Sequence, residues 1–532
     1  MPSTKTGVRL RTGLMLAGIV LLGLLLRFWG LAWGLPDRVD LHPDEHDYVV
    51  SHALAVSWQN PDPGFLNYPS FLCYSTALLH GAAKWLEPDR PDWKAYATGR
   101  AISATYGTLT ILVVFFLAGR LGPNAKSALL AALWMAILPL NVWDSHVAVT
   151  DVMMNFWTLL ALLMSVRLFE QPRPRLAILA GLCAGLATGS KYTATLVCLA
   201  PFVAVVLADL SWKGRIRLLL IAAACALAAC FVVTPFSFLR LGDTLQALAY
   251  EHSHTQGGHV GFSVPAAGWQ YRRGVYQLAA AWPFSFGLPL YLAAVAGTIS
   301  FARRKDPRKW ILLVFGAAWF LVTGSMSLVP LRYYHPLLAL GALFAGLWLG
   351  PMLDRPAGSW RRRAGAVLLL AVAAYTLLFT LSTTRRYKHD TRVAAERWLE
   401  SYLQKDHVLH VMGWTPYFAF PRNTPGMVKS EDESRLFILH RRGTNDLIQV
   451  SSLLYLRHDR HGNRKIQQPY RRLRQRPERY DLVARFDSPF LNRDGYGKLD
   501  PMFRCYFVAP TLEFYRPRPA GSVPLPVPEG GP

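Results

Sequence analysis

A chain of 532 residues that is 52% hydrophobic and 17% charged, with 17 tryptophans and a mean hydropathy of +0.21, is too apolar for a soluble enzyme. Its formal net charge of +24 does not imply a nucleic-acid partner, because the basic residues recur in short loops between apolar runs, where they orient membrane spans. Walker loops and dinucleotide-binding turns are missing from the sequence, which argues against an ATP-driven pump, and the six cysteines lack metal-ligand spacing.

Residues 13–29 form the first apolar run, and no small-residue cleavage site follows over 29–35, so the run reads as an uncleaved anchor. Apolar periodicity then predicts about eleven transmembrane helices, near residues 10–33, 95–118, 127–143, 152–169, 176–190, 192–210, 216–235, 281–301, 310–328, 334–352 and 364–383. The pair meeting at Lys191 reads equally as one bent helix. Arg120 with Lys126, Arg173 with Arg175, Lys213 with Arg215 and Arg217, residues 303–309, and 361–363 occupy every second loop, which makes those loops cytoplasmic. Residues 34–94, the turns at 143–151 and at Lys191, the 236–280 loop, 330–335 and everything past about 384 then lie outside, and Cys73 and Cys505 with them. From 391 the period changes to an amphipathic helix at 391–403 and short strands at 408–412, 436–439, 447–454, 482–486 and 506–508. The expected organisation is a transmembrane domain over 1–383 with a long first outer loop at 34–94, a small extracytoplasmic α/β domain over 384–516, and a Pro- and Gly-rich disordered tail at 517–532.

Polar clusters collect on the outer side. The run His42-Pro43-Asp44-Glu45-His46-Asp47-Tyr48 follows the first span. A carboxylate there either activates an acceptor hydroxyl, holds a divalent cation against a phosphate, or caps the helix after Pro43. Asp44 and Asp47 share a face if the segment is helical, whereas Glu45 points elsewhere. His42 and His46 are four apart, but two histidines do not define a zinc site, and hydrogen bonding to the acids or a substrate is the more economical role. Asp144, His146 and Asp151 form a second cluster, in which Asp151 either caps a helix or faces Asp44 across a cleft. Lys191 either snorkels or pairs with an anion, and Arg332 with Tyr333 either anchors the interface or binds phosphate through its planar donors. The polar 250–259 stretch reads as a gate or a connector. The basic 457–479 run reads as a solvated loop or a surface for anionic lipid or glycan. Acids and phosphate-suited cations on one face fit transfer from a lipid-linked phosphate, with a transporter or lipid-linked sugar flippase, or a non-catalytic envelope assembly protein, as the rivals.

His42-Pro43-Asp44-Glu45, Tyr96-Ala97-Thr98-Gly99-Arg100-Ala101-Ile102-Ser103-Ala104, His146-Val147-Ala148-Val149-Thr150-Asp151, Gly185-Leu186-Ala187-Thr188-Gly189-Ser190-Lys191-Tyr192 and Arg332-Tyr333-Tyr334-His335-Pro336 together resemble the GT-C membrane glycosyltransferases over about residues 10–350. The group resembled comprises the bacterial relatives of protein O-mannosyltransferases and lipid A aminoarabinose transferases. The resemblance implies an enzyme of the cytoplasmic membrane that inverts the anomeric carbon. The resemblance implies that it moves a sugar from a polyprenyl-phosphate donor to an envelope lipid, glycan or protein acceptor on the outer face. It further implies catalytic acids at Asp44, Glu45 and Asp151, phosphate binding by Lys191, Arg332 and Tyr333, and a divalent metal, Mg or Mn, at Asp44 and Asp151. His42, His46, Asp47 and His146 are left as donor or acceptor contacts. Many relatives carry a glycine after the lysine, where this chain has Tyr192.

Overall fold

The computed structural model describes residues 3–258, 263, 272–356, 358–412, 418–420, 427–431, 446–461, 470, 473, 479–504 and 508–518. The expected strands at 436–439 and most of 506–508, Cys505, His259, most of the 457–479 run and the tail beyond 518 lie outside the described residues. The chain divides into one compact unit of residues 1–31, 44–257 and 272–384, and a second of residues 32–43, 258–271 and 385–532.

The first unit is helical. Arg9–Phe28, Trp93–Leu121, Thr150–Glu170, Trp212–Val233, Leu331–Asp354 and the helix starting at Trp360 are long and apolar enough to cross a membrane. Gln277–Phe286 and Leu288–Ala302 are two apolar helices that meet at an angle of 118°, the geometry of a broken span or a re-entrant loop. The remaining expected runs fall on shorter apolar helices, Ala125–Ala136, Pro174–Ser190, Tyr192–Leu207 and Lys309–Ser325. The helices used below are α1 (Ser3–Phe28), α2 (Phe71–Leu86), α3 (Trp93–Leu121), α4 (Ala125–Ala136), α5 (Pro139–Asp144), α6 (Thr150–Glu170), α7 (Pro174–Ser190), α8 (Trp212–Val233) and α9 (Leu241–Gly257).

Local sequence explains the interruptions. The run expected over 127–143 breaks between α4 and α5, where Pro139 cannot continue an α-helical ladder. The carbonyls freed there are taken by the fully buried Arg27 of α1, whose guanidinium donates to Met135 O at 3.0 Å, Ala136 O at 2.9 Å and Asn141 Oδ1 at 2.7 Å. At the other ambiguous point, α7 ends at Ser190, Lys191 is extended, and a 3₁₀ turn Tyr192–Cys198 restarts the chain. The close approach of α7 to α8 depends on a glycine stripe. A Cβ on Gly181 or Gly185 would strike the carbonyls of Ala222 or Ala226, so the two backbones touch as small-residue membrane helices do.

The 250–257 stretch, read from sequence as a gate or a connector, is helical. Residues 241–256 contain no proline and only Gly242, so α9 forms and ends at Gly257, with Gly258 at φ +80°.

The second unit carries an α/β sheet. Its strands are β1 (Val408–Met412), β2 (Met427–Glu431), β3 (Asp446–Ser451), β4 (Tyr480–Phe486) and β5 (Leu512–Pro517), in the order β2-β1-β3-β5-β4. β1 runs parallel to β2 and β3, and β5 runs antiparallel to β3 and β4. Helix Thr391–Tyr402 buries Ala395 and Leu399 in a core with Leu409, Val450 and Phe514, and Trp398 lies 4.9 Å from the Phe514 ring. The strand expected over 447–454 stops at Ser451, and Ser452–His461 is helical.

Candidate functional site

Four ionisable side chains meet where helices of the first unit are interrupted. Asp44 lies in the one-turn helix Pro43–Glu45, Asp151 in the first turn of α6, Lys191 at the extended break after α7, and Arg332 in the 3₁₀ turn Leu331–Tyr334 after Pro330. Arg332 Nη2 is 2.7 Å from Asp44 Oδ2, its Nε is 3.5 Å from Asp151 Oδ2, and Lys191 Nζ donates to Asp151 Oδ1 at 2.6 Å. The side chains are 21% exposed at Asp44, 13% at Arg332, 8% at Lys191 and 2% at Asp151. Asp44 is therefore the most accessible of the four. Asp151 gains from the positive end of α6 as well as from its two cations.

Asp44, Asp151 and Arg332 line a narrow open cleft with Val49, Tyr68, Val149 and Thr150. Tyr333 packs beneath the cations, with Lys191 Nζ 4.2 Å and the Arg332 guanidinium carbon 5.7 Å from its ring centroid. Burial pushes the Tyr68 phenol well above its ordinary range, and Tyr333 and Asp44 push it further, so Tyr68 is a neutral donor at the cleft wall.

The other expected residues are placed differently. Glu45 is fully buried and turned away from Asp44. It takes Arg100 Nε at 2.8 Å on one oxygen and Nη2 at 2.7 Å on the other, and Oε1 also accepts from Ala148 N at 2.9 Å. Because Ala148 lies three residues before Asp151, Glu45 ties the segment holding one acid to the segment holding the other. Its carboxylate is enclosed in this pairing, where the sequence reading expected a catalytic acid. His146 is buried, with ring nitrogens 2.7 Å and 3.0 Å from the carbonyls of Val142 and Trp29, and so does not reach the cleft. His46 lies 2.6 Å from the Tyr96 hydroxyl, Asp47 is exposed, and His42 is buried and belongs to the second unit.

Among the described residues, no group of three or more His, Cys, Asp or Glu converges on a metal-sized site. Asp44 and Asp151 supply two carboxylates, both engaged by cations, so an ion entering there would draw its other ligands from water and a substrate phosphate, as Mg²⁺ often does.

Sequence reasoning missed Arg100 and Tyr68. Arg100 sits within an otherwise apolar helical run, where a buried cation demands an anionic partner. Tyr68 stands in the Asn67-Tyr68-Pro69-Ser70 turn, which proline makes rigid.

Residues 80–246 match the family model described as dolichyl-phosphate-mannose-protein mannosyltransferase. The chain superposes in part on the oligosaccharyltransferase AglB from Archaeoglobus fulgidus, solved with an inhibitory peptide and a dolichol-phosphate, with TM-score 0.53 and 15% identity. It also superposes on ArnT from Cupriavidus metallidurans, solved with undecaprenyl phosphate, with TM-score 0.53 and 14% identity. The chain carries the GT-C fold. The match to ArnT covers 83% of this chain and 94% of that one. The match to AglB covers 76% of this chain but 62% of the other, so this GT-C chain spans about three fifths of the archaeal enzyme. No curated protein sequence matches it significantly.

Proposed function

We propose that this protein is a glycosyltransferase that moves a sugar from a polyprenyl-phosphate carrier to an envelope lipid, glycan or protein acceptor. The observation that carries the reading is the Asp44–Arg332–Asp151–Lys191 constellation at a cleft bounded by helix breaks. The solved relatives that share this fold hold a dolichol-phosphate and an undecaprenyl phosphate, which supports the donor class.

The donor phosphate competes with Asp44 for Arg332, because a guanidinium fork fits two phosphate oxygens. Binding therefore frees the Asp44 carboxylate when the donor is in place. Asp44 takes the proton of the acceptor hydroxyl, whose oxygen bonds to the anomeric carbon. The carbon–oxygen bond to phosphate breaks, and its electron pair leaves on the phosphate, where Lys191 and Arg332 stabilise the charge. A single displacement of this kind inverts the anomeric carbon. Asp151 holds both cations in place. Asp44 and Asp151 would hold a Mg²⁺ or Mn²⁺ together with the donor phosphate, and such an ion would add charge stabilisation at the leaving oxygen.

Purified protein incubated with labelled polyprenyl-phosphate sugars and envelope extract is expected to form a labelled product. Asp44→Asn is expected to lower the rate by about 10²- to 10⁴-fold, the usual contribution of a general base. Undiminished transfer by Asp44→Asn overturns the role given to Asp44.

A further inference from the structure

Helix α9 is fastened along the rim of the cleft at three points. Arg240, just before it, pairs with Asp62 at 2.7 Å, Glu251 Oε1 accepts from Asn67 Nδ2 at 2.8 Å, and Thr255 O accepts from the backbone nitrogens of Ser327 and Leu328 at 3.0 Å. The first two anchors hold the segment that carries Tyr68, and the third holds the segment that leads to Arg332. Glu251 is thus one residue removed from the cleft lining, and its charge contributes to raising the phenols of Tyr48 and Tyr68.

Asn67 and Glu251 are both half-buried, and among the described residues the only side-chain hydrogen bond of either is the one they share. That bond leaves a carboxylate oxygen, an amide oxygen and an amide N–H in one place, two acceptors and a donor in fixed relation. Beside them stands an aromatic wall. Tyr48 and Phe65 are stacked at 5.1 Å, and Tyr68 meets Tyr48 edge-on at 5.6 Å and Phe65 at 5.8 Å. Planar acceptors next to aromatic rings match a pyranose or furanose, which presents O–H groups at its edge and C–H groups on its faces. The proline turn and the α9 anchors pre-organise the arrangement, so binding need not order it.

We propose that Asn67 and Glu251 form the subsite that reads the hydroxyl groups of the transferred sugar, with Tyr48 and Tyr68 against its ring. This rests on the glycosyltransferase reading above. It separates two tasks by position: the Lys191 and Arg332 side of the cleft takes the phosphate common to all donors, and the Asn67 and Glu251 side selects the sugar.

The test uses full-length protein and, for the sugar it transfers best, analogues of the lipid-linked donor each lacking one ring hydroxyl. Wild type is expected to lose about ten- to a hundredfold in kcat/KM with one analogue, the usual range for a hydrogen bond to a charged group. Glu251→Gln is expected to fall by a similar factor with the intact donor and to lose nothing further with that analogue. Polyprenyl phosphate without a sugar is expected to inhibit wild type and Glu251→Gln alike. Asp62→Ala loosens α9 without removing Glu251, and is expected to slow all donors by one factor. Three outcomes overturn the subsite: Glu251→Gln weakening every donor and the sugarless phosphate equally, an unchanged hydroxyl preference, or a preference that moves only when the acceptor is varied. A wild-type protein that transfers none of the lipid-linked sugars instead overturns the glycosyltransferase reading itself.

Discussion

Two carboxylates and two cations in a largely enclosed cluster compensate one another, and removal of any one leaves a charge that water cannot fully solvate. The cost is unequal because the exposures are unequal. Lys191→Met leaves Asp151, with a side chain only 2% exposed, facing Arg332 at 3.5 Å as its one remaining close cation among the described residues. Breaking a buried pair this way costs roughly 3–5 kcal/mol, whereas Asp44→Asn removes a partner that is 21% exposed and leaves Arg332 near Asp151. Thermal unfolding in detergent is therefore expected to show Lys191→Met well below wild type and Asp44→Asn close to it. A Lys191→Met protein as stable as wild type would mean that the pair is solvated. Arg332→Lys tests the other cation: it keeps the charge but loses the planar fork, so polyprenyl-phosphate binding is expected to weaken while stability changes little.

At the scale of elements, the site exists because helices stop. Pro139, Lys191 and Pro330 each sit where an apolar run fails to continue, and these breaks bring polar side chains and free backbone groups together in an apolar bundle. Asp44, Asp151, Lys191 and Arg332 were legible in the sequence because each is a charge beside a long apolar run, and sidedness grouped them before any contact was known. Glu45 was not separable from Asp44 by that logic. Adjacent acids look alike in sequence, and only the burial of Arg100 and the Ala148 amide shows which one is a tie. The α7–α8 contact yields its own prediction. Gly185 faces the Ala226 carbonyl with no room for a side chain, so Gly185→Val must push α8 away or tilt α7, and α7 carries Lys191 at its end. The variant is expected to lose transfer and thermal stability together, whereas Gly119→Val, where a Cβ meets nothing, is expected to lose neither.

For the whole molecule, the first unit has two chemically distinct ends. Glu170, at the end of α6, pairs with Arg120 at 3.1 Å and Arg308 at 2.8 Å, so the basic loops expected in the cytoplasm meet at one end of the bundle. Asp151 stands at the other end of the same helix. The nineteen residue-to-residue steps from Asp151 to Glu170 span roughly 28 Å at 1.5 Å each, close to the thickness of a bilayer core. The positive-inside rule predicts the Glu170 end in the cytoplasm and the cleft on the outer face, and the eleven spans expected from the sequence predict the C-terminal α/β unit outside as well. Single cysteines placed in a background lacking the six native ones test this orientation. Trp58, Lys305 and Asp494 are all exposed, and lie in the first long loop, the 303–309 loop and the second unit. In intact spheroplasts a membrane-impermeant thiol reagent is expected to label Trp58→Cys and Asp494→Cys, and to reach Lys305→Cys only after permeabilisation. Protection of Asp494→Cys with labelling of Trp58→Cys would put the α/β unit in the cytoplasm and require an even number of spans, and labelling of Lys305→Cys from outside would invert the bundle and place the cleft where a donor phosphate on the outer leaflet could not reach it.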